Sequence, residues 1–191
     1  MYYVLECPKK YTKFGQVLYA IHNLDQIVDK PWKTGEPFLF DVPVPISYEF
    51  EPLRGYEGLP PEFTDLGTPI MSAKMVKALL GAGVDNIQFY DVILTNKITQ
   101  EKYSYHAFNI VGLIAAANLE ESDWSSFENS TVGSVSFNHL VLDEQKCRGA
   151  LVFRMAENLG TILVHDTVKR AIENAGIDSV IFHNPEDYVV I

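Results

Sequence analysis

Apolar and polar residues change their spacing several times along this chain, and each change marks an element. Tyr2–Glu6 is aromatic and β-branched and is closed by Pro8, the pattern of a strand. Phe14–Val28 is mixed, with Leu18, Ile21, His22 and Asp25 spaced for one face of a short helix. Nine of the ten prolines lie at or before residue 69, and they cut 31–69 into short extended pieces. Long helices are excluded there, and Phe38–Phe40 and Ile46–Phe50 read as edge strands. Trp32, Phe38, Phe40, Tyr48, Phe50, Tyr56 and Phe63 make this segment too aromatic for a disordered linker.

Helical spacing begins after Ser72, a plausible N-cap, with Met75, Val76, Leu79 and Leu80 on one stripe and Gly81 and Gly83 as stops. Ile87–Leu94 and Tyr103–Val111 alternate as strands around the polar stretch Thr95–Glu101, which predicts a β-hairpin. Glu120–Ser134 is a polar loop carrying Trp124 and Phe127. Beyond it, Phe137–Leu142 and Ala150–Arg154 read as strands. Thr161–Val164 is a strand, Asp166 a helix N-cap, Val168, Ala171 and Ile172 an inward face, Gly176 a stop and Ser179–Phe182 a further strand.

The stretch at 67–89 aligns without gaps with 160–182. Gly67, Thr68, Ala78, Gly83, Asp85 and Phe89 recur as Gly160, Thr161, Ala171, Gly176, Asp178 and Phe182. The expected fold is therefore α+β: a mixed, largely antiparallel sheet with helices packed against it, containing two similar strand-helix-strand units. A chain of 191 residues favours one domain over 1–191 with this internal pseudo-repeat.

Composition narrows the function classes. Apolar residues are 47% and charged residues 21%, ordinary for a globular domain. The apolar stretch Ile110–Ala117 falls short of the roughly 18 residues that suggest a membrane span. The opening MYYVLECPKK lacks the basic start and apolar core of an export signal, so a cytoplasmic location is expected. The net charge of -10 argues against nucleic acid, because phosphate contacts need clustered Lys and Arg. Residues 34–68 hold seven acids and a single arginine. Such a field steers basic partners, and it equally serves as an ordinary solubilising surface.

Chemistry-bearing motifs are sparse. Cys7 and Cys147 do not make a disulfide framework and read as buried thiols. None of His22, His106, His139, His165 and His183 lies in a metal-binding motif, and no cofactor or metal is expected. Gly81-x-Gly83 follows a helix, the wrong order for a dinucleotide fingerprint. His165-Asp166 reads as a strand end and a cap rather than a catalytic pair.

Trp32–Asp65 differs in kind, because it interleaves acids with rigid aromatics. Tyr48 and Phe50 alternate with Glu49 and Glu51, so one strand face would be aromatic and the other acidic. With Tyr56 and Glu57 these make a candidate partner-binding set: Tyr48, Glu49, Phe50, Glu51, Tyr56 and Glu57. A core-facing aromatic row with solvated acids behind it explains the same alternation.

Three further blocks, IMSAKMVKALLGAGVDNIQFYDVIL at 70–94, YSYHAFNIVGLIAAANLEES at 103–122 and HLVLDEQKCRGALVFRMAENLGTILVHDTVKRAIENAGIDSVIFHNP at 139–185, occur in an order that resembles a known family. The chain looks like bacterial immunity proteins of polymorphic toxin systems, the DUF1629-like group. The resemblance covers over half the chain and rests on apolar, structural positions. It implies a non-catalytic protein that binds and blocks a cognate toxin domain, with no residue-level role carried over. A toxin with a basic contact surface is then the expected partner, engaged by the acidic and aromatic surface. Two other readings stay open: an enzyme or small-molecule binder with a pocket joining His106, His139 or His165 to carboxylates, and a self-associating adaptor or homo-oligomer.

Overall fold

The structure is a computed structural model describing residues 1–7, 16–19, 32–52, 60–65, 69–126 and 130–190. In chain order the strands are Tyr2–Glu6 (β1), Gln16–Tyr19 (β2), Ile46–Pro52 (β3), Phe63–Thr64 (β4) and Ile70–Ser72 (β5). The helix Ala73–Gly81 (α1) leads to Ile87–Asn96 (β6), Lys102–Ile110 (β7), Leu113–Ile114 (β8), Asp123–Ser125 (β9) and Ser136–His139 (β10). A short helix Glu144–Cys147 (α2) precedes Val152–Met155 (β11) and Ile162–His165 (β12), followed by helix Asp166–Asn174 (α3) and strand Ile181–His183 (β13).

Among the described residues these strands build a five-stranded sheet in the order β13-β1-β12-β11-β8, a six-stranded sheet in the order β2-β3-β6-β7-β5-β4, and a β9-β10 pair. Pairing is antiparallel except between β3 and β6 and between β8 and β11. The fold is α+β, with antiparallel pairing dominant and helices packed against the sheets.

The β6-β7 hairpin forms where alternation is longest, in register from Ile87 opposite Ile110 to Thr95 opposite Lys102. Asn96 closes its turn: the side-chain Oδ1 accepts the N–H groups of Ile98 at 2.8 Å and Thr99 at 3.2 Å. Such an Asx turn frees the backbone to reverse direction. Toward its C-terminal end β7 is buried on both faces, with Tyr105 and Ala107 on one side and Phe108 and Ile110 on the other.

Three buried clusters follow from the strand alternation. One face of the six-stranded sheet packs Tyr48, Phe50, Val92, Leu94, Tyr105 and Ala107 under Trp32, Phe38 and Val42. The opposite face shares a second cluster with the helices and the five-stranded sheet, including Phe108, Ile110, Met75, Leu79, Val164, Val168 and Ile172. A third cluster backs the five-stranded sheet, with Tyr2, Val4, Phe153 and Leu163 against Phe137, Leu140 and Cys147. Helices α1 and α3 contact each other, and Lys74 of α1 donates to the Gly176 carbonyl beyond α3 at 3.0 Å.

Local signals behave as their chemistry demands, with four corrections. Ser72 caps α1, its side chain accepting the Met75 N–H at 3.1 Å. The cap of α3 is His165 rather than Asp166: the imidazole Nδ1 accepts the Thr167 N–H, and Asp166 opens the helix proper and pairs with Arg170. An acid in the first turn is favoured by the helix dipole there too. Phe38–Phe40 is not a strand, because Pro37 and Pro43 frame it and Phe38 gives its backbone groups to a side chain instead. Ile46–Pro52 is a strand but not an edge one; it lies between β2 and β6, and Gln16–Tyr19 takes the edge place where a helix face was expected. Ile21, His22 and Asp25 of that expected helix lie outside the described residues, as do Phe127 and the first two repeat positions Gly67 and Thr68.

A buried ion pair joins the two large sheets. Arg154 on β11 has no exposed side-chain surface, and its guanidinium donates to both Asp65 oxygens at 2.9 and 2.8 Å and to the Leu159 carbonyl at 3.0 Å. Asp65, just past β4, also meets Lys33 Nζ at 3.2 Å. The bidentate geometry and the second cation compensate a charge that would otherwise be prohibitive in the interior. Replacing Asp65 with Ala strands Arg154 and is expected to cost about 3–5 kcal/mol, read as a fall in the urea midpoint. Ser72→Ala, which removes only a cap, is expected to cost about 1 kcal/mol in the same assay. Equal midpoints for the two variants would show that Arg154 does not depend on Asp65.

Candidate partner-binding surface

Strand β3 sorts the predicted contact residues by parity. Tyr48 and Phe50 point into the cluster under Trp32 and Phe38, at 2% and 0% exposure. Their burial takes both rings off the surface that a partner can reach, a correction to their place in the candidate partner-binding set. The alternate residues Ser47, Glu49 and Glu51 face outward, with Glu49 half-buried and Ser47 and Glu51 exposed. Tyr56 and Glu57 lie outside the described residues.

The outward row continues across the sheet. Parallel pairing sets Ser47 beside Ile93 and Glu49 beside Thr95, and the hairpin register sets Thr95 beside Lys102 and Asp91 beside His106. Two cations temper the acids: Lys97 Nζ lies 4.0 Å from Glu49, and Lys102 is exposed at the hairpin end. Exposed pairs of this length contribute little to stability and are screened by salt. The face is thus mixed at its turn and acidic along β3.

The histidines occupy separate places, each with its own neighbour. His106 Nδ1 lies 3.3 Å from Asp91, which is mostly exposed. His139 Nδ1 meets the Glu186 carbonyl at 3.0 Å, and His165 caps α3. His183 Nε2 meets Glu6 at 2.6 Å, with its ring centroid 4.5 Å from that of Tyr188. His106, His139 and His165 lie on three different strands, β7, β10 and β12, and His22 lies outside the described residues. Among the described residues no group of three or more His, Cys, Asp and Glu side chains is placed to hold a metal ion. No helix among them is long and apolar enough to cross a membrane.

A cleft of about 200 Å³ lies at the end of β1, lined by Glu6, Cys7, Lys33, Asp65, Thr161 and Tyr188 among others. Asp65 is already engaged there by Arg154 and Lys33. Burial raises the Tyr188 hydroxyl, with Glu6 adding to it.

The chain matches the Immunity protein family (Imm11) model over residues 8–187. It belongs to that family. No curated protein matches it. Family membership makes the chain an immunity protein with a toxin-neutralising, non-catalytic role and a cognate toxin as partner. The matching description is Imm11, and the DUF1629-like label stays a resemblance.

Two features of this Imm11 chain escaped the residue pattern. One is the Arg154–Asp65–Lys33 cluster, whose signal was an arginine inside the apolar run Leu151–Met155. The other is the exposure of Leu39, Phe40 and Val44 in the proline-framed segment. The cysteines fit inert thiols: both are buried and free, burial raises Cys7, and burial with Glu144 and Asp143 pushes Cys147 up to about 11. A raised thiol carries little thiolate at neutral pH and is a poor nucleophile. The native chain at pH 8 is therefore expected to react very slowly with a disulfide reagent such as DTNB, and denatured chain to react at both positions at once. Rapid reaction of one native thiol would contradict this.

Proposed function

We propose that this chain neutralises its cognate toxin by docking the acidic segment 34–68 over a basic surface of the toxin, and does so as one domain spanning 1–191 in the cytoplasm. The observation that carries this reading is the outward row of β3, in which Glu49 and Glu51 face away from buried Tyr48 and Phe50. From 34 to 53 the chain has the acids Glu36, Asp41, Glu49 and Glu51 and no Lys or Arg. Aromatic packing beneath keeps the strand stiff, so little ordering cost attends binding. Opposed charge raises the association rate, and packed contacts set the dissociation rate. Nanomolar inhibition needs about -12 kcal/mol, within reach of an interface of about 1,600 Å². Tyr56 and Glu57 continue the same acidic segment, and the charge of -10 turns it away from nucleic acid.

We also infer that 67–89 and 160–182 are two copies of one unit. In support, β5 and β6 flank β7, and β12 and β13 flank β1, each pair enclosing a single antiparallel strand and connected by one helix. The two units then act as a frame, and inhibition falls to the proline-broken segment.

The test is charge reversal. A Glu49→Lys, Glu51→Lys, Glu57→Lys variant is expected to bind the inactivated toxin domain at least about tenfold more slowly at low salt, with the difference shrinking as salt rises. Stopped-flow binding across a salt series reads both effects. Unchanged rates and an unchanged salt slope would remove this segment from the interface.

A further inference from the structure

The segment between Glu36 and Ile46 is irregular and yet firmly held. Phe38 donates its N–H to Gln88 Oε1 at 2.8 Å, and Gln88 Nε2 donates to the Phe38 carbonyl at 3.1 Å. Asn109, wholly buried on β7, donates to the same Gln88 oxygen at 3.0 Å and to the Glu36 carbonyl at 2.8 Å. Two side-chain amides of the central hairpin thus take the place of a strand partner. Phe38 and Val42 are buried, and the Phe38 ring meets Trp32 edge-on at 4.9 Å.

Between and beyond these two fixed points the chain turns apolar side chains outward. Leu39 is 91% exposed, Phe40 42% and Val44 53%. Phe40 stacks on Phe38 at 5.4 Å, which fixes its ring. A leucine left in water forgoes the stabilisation that its burial would contribute. Pro37, Pro43 and Pro45 withhold backbone donors, so the tip is a poor edge for strand addition. Its side chains are what it offers. Glu36 and Asp41 are exposed beside them.

We propose that Leu39, Phe40 and Val44 form a preorganised apolar anchor that inserts into a recess on the toxin rimmed by Lys or Arg. The inference rests on the toxin-binding reading above and adds a second contact to it. The charge argument selects the occupant: an apolar tip flanked by Glu36 and Asp41, in a stretch without a basic residue from 34 to 53, is complementary to an apolar recess with a basic rim. It is poorly matched to a second copy of this acidic chain. Rigid apolar anchors at the centre of an interface carry a large share of affinity, because little freedom is lost when they are buried. The tip is also distinct from the acidic row. Phe38 and Val42 share a buried cluster with Tyr48 and Phe50, whereas Glu49 and Glu51 alternate to the other face of β3.

That separation makes the two contacts testable apart. Wild type, Leu39→Asp, a Leu39→Ala/Phe40→Ala double variant and Glu49→Lys/Glu51→Lys are each titrated with the cognate toxin domain carrying an inactivating substitution. Dissociation is followed by surface plasmon resonance. Leu39→Asp is expected to raise the dissociation rate roughly thirtyfold or more, with the melting temperature held because Leu39 makes little contact within the chain. The double variant is expected to do the same without introducing a charge. Wild-type dissociation in both tip variants, with binding lost in the β3 variant, would overturn the anchor and leave the toxin-binding reading standing. No binding by the wild-type chain would overturn both. Sedimentation of the chain alone gives the remaining outcome: a dimer dispersed by Leu39→Asp, with toxin affinity unchanged, would assign the tip to a second copy and refute the proposal.

Discussion

Arg154 is wholly buried, and its charge is tolerable only because Asp65 reaches it from the other large sheet. That requirement constrains much else. Asp65 sits just past β4, the edge strand of the six-stranded sheet beside β5. Lys33 must come close as well, which brings the start of the proline-rich segment against the same point. Asn86 reinforces the join from a different place, donating to the Val111 and Val152 carbonyls at 3.0 Å each. Apolar burial supplies most of the driving force but is indifferent to direction. The polar joins add direction to that contact, because Arg154 and Asn86 are satisfied only by partners at these positions.

Elements with a long, local pattern were legible in the residues. The β6-β7 hairpin has ten and nine residues of strand around a polar turn, and α1 has a serine cap and buries Met75 and Leu79 of its expected stripe, with Ala78 buried and Leu80 left 54% exposed. Such signals need no knowledge of distant neighbours. The short pieces were not legible in the same way. Gln16–Tyr19 becomes a strand because β3 offers it an edge, and that is a tertiary fact. Phe38–Phe40 has the composition of a strand and fails to be one, because Gln88 and Asn109 claim the backbone of its surroundings. His165 outcompetes Asp166 as cap because the strand end places the imidazole over the first turn.

The candidate surface was legible in its alternation and misleading in its sign of exposure. Period-two spacing correctly separates Tyr48 and Phe50 from Glu49 and Glu51. It cannot say which face is inside, and aromatic rings suit an interface and a core alike. The structure resolves that choice for the rings, through the lid formed by Trp32, Phe38 and Val42. The converse case is Leu39, an apolar side chain that the fold leaves outward. Nothing in a single residue type marks an apolar side chain as outward; only the clamp on its neighbour does.

Buried polar groups in this fold use their hydrogen bonds to hold segments in place. Here Gln88 and Asn109 turn theirs to the backbone of a surface loop, and Arg154 and Asp65 turn theirs to each other. The hairpin therefore serves two ends at once. Its apolar residues pack over Tyr48 and Phe50, and its amides fix the segment that covers them. An irregular segment with several prolines has few backbone bonds to make with itself, so rigidity must be imposed from beneath. A surface held that way keeps its shape before any partner arrives, and that is the property a blocking protein needs to bind tightly without chemistry of its own.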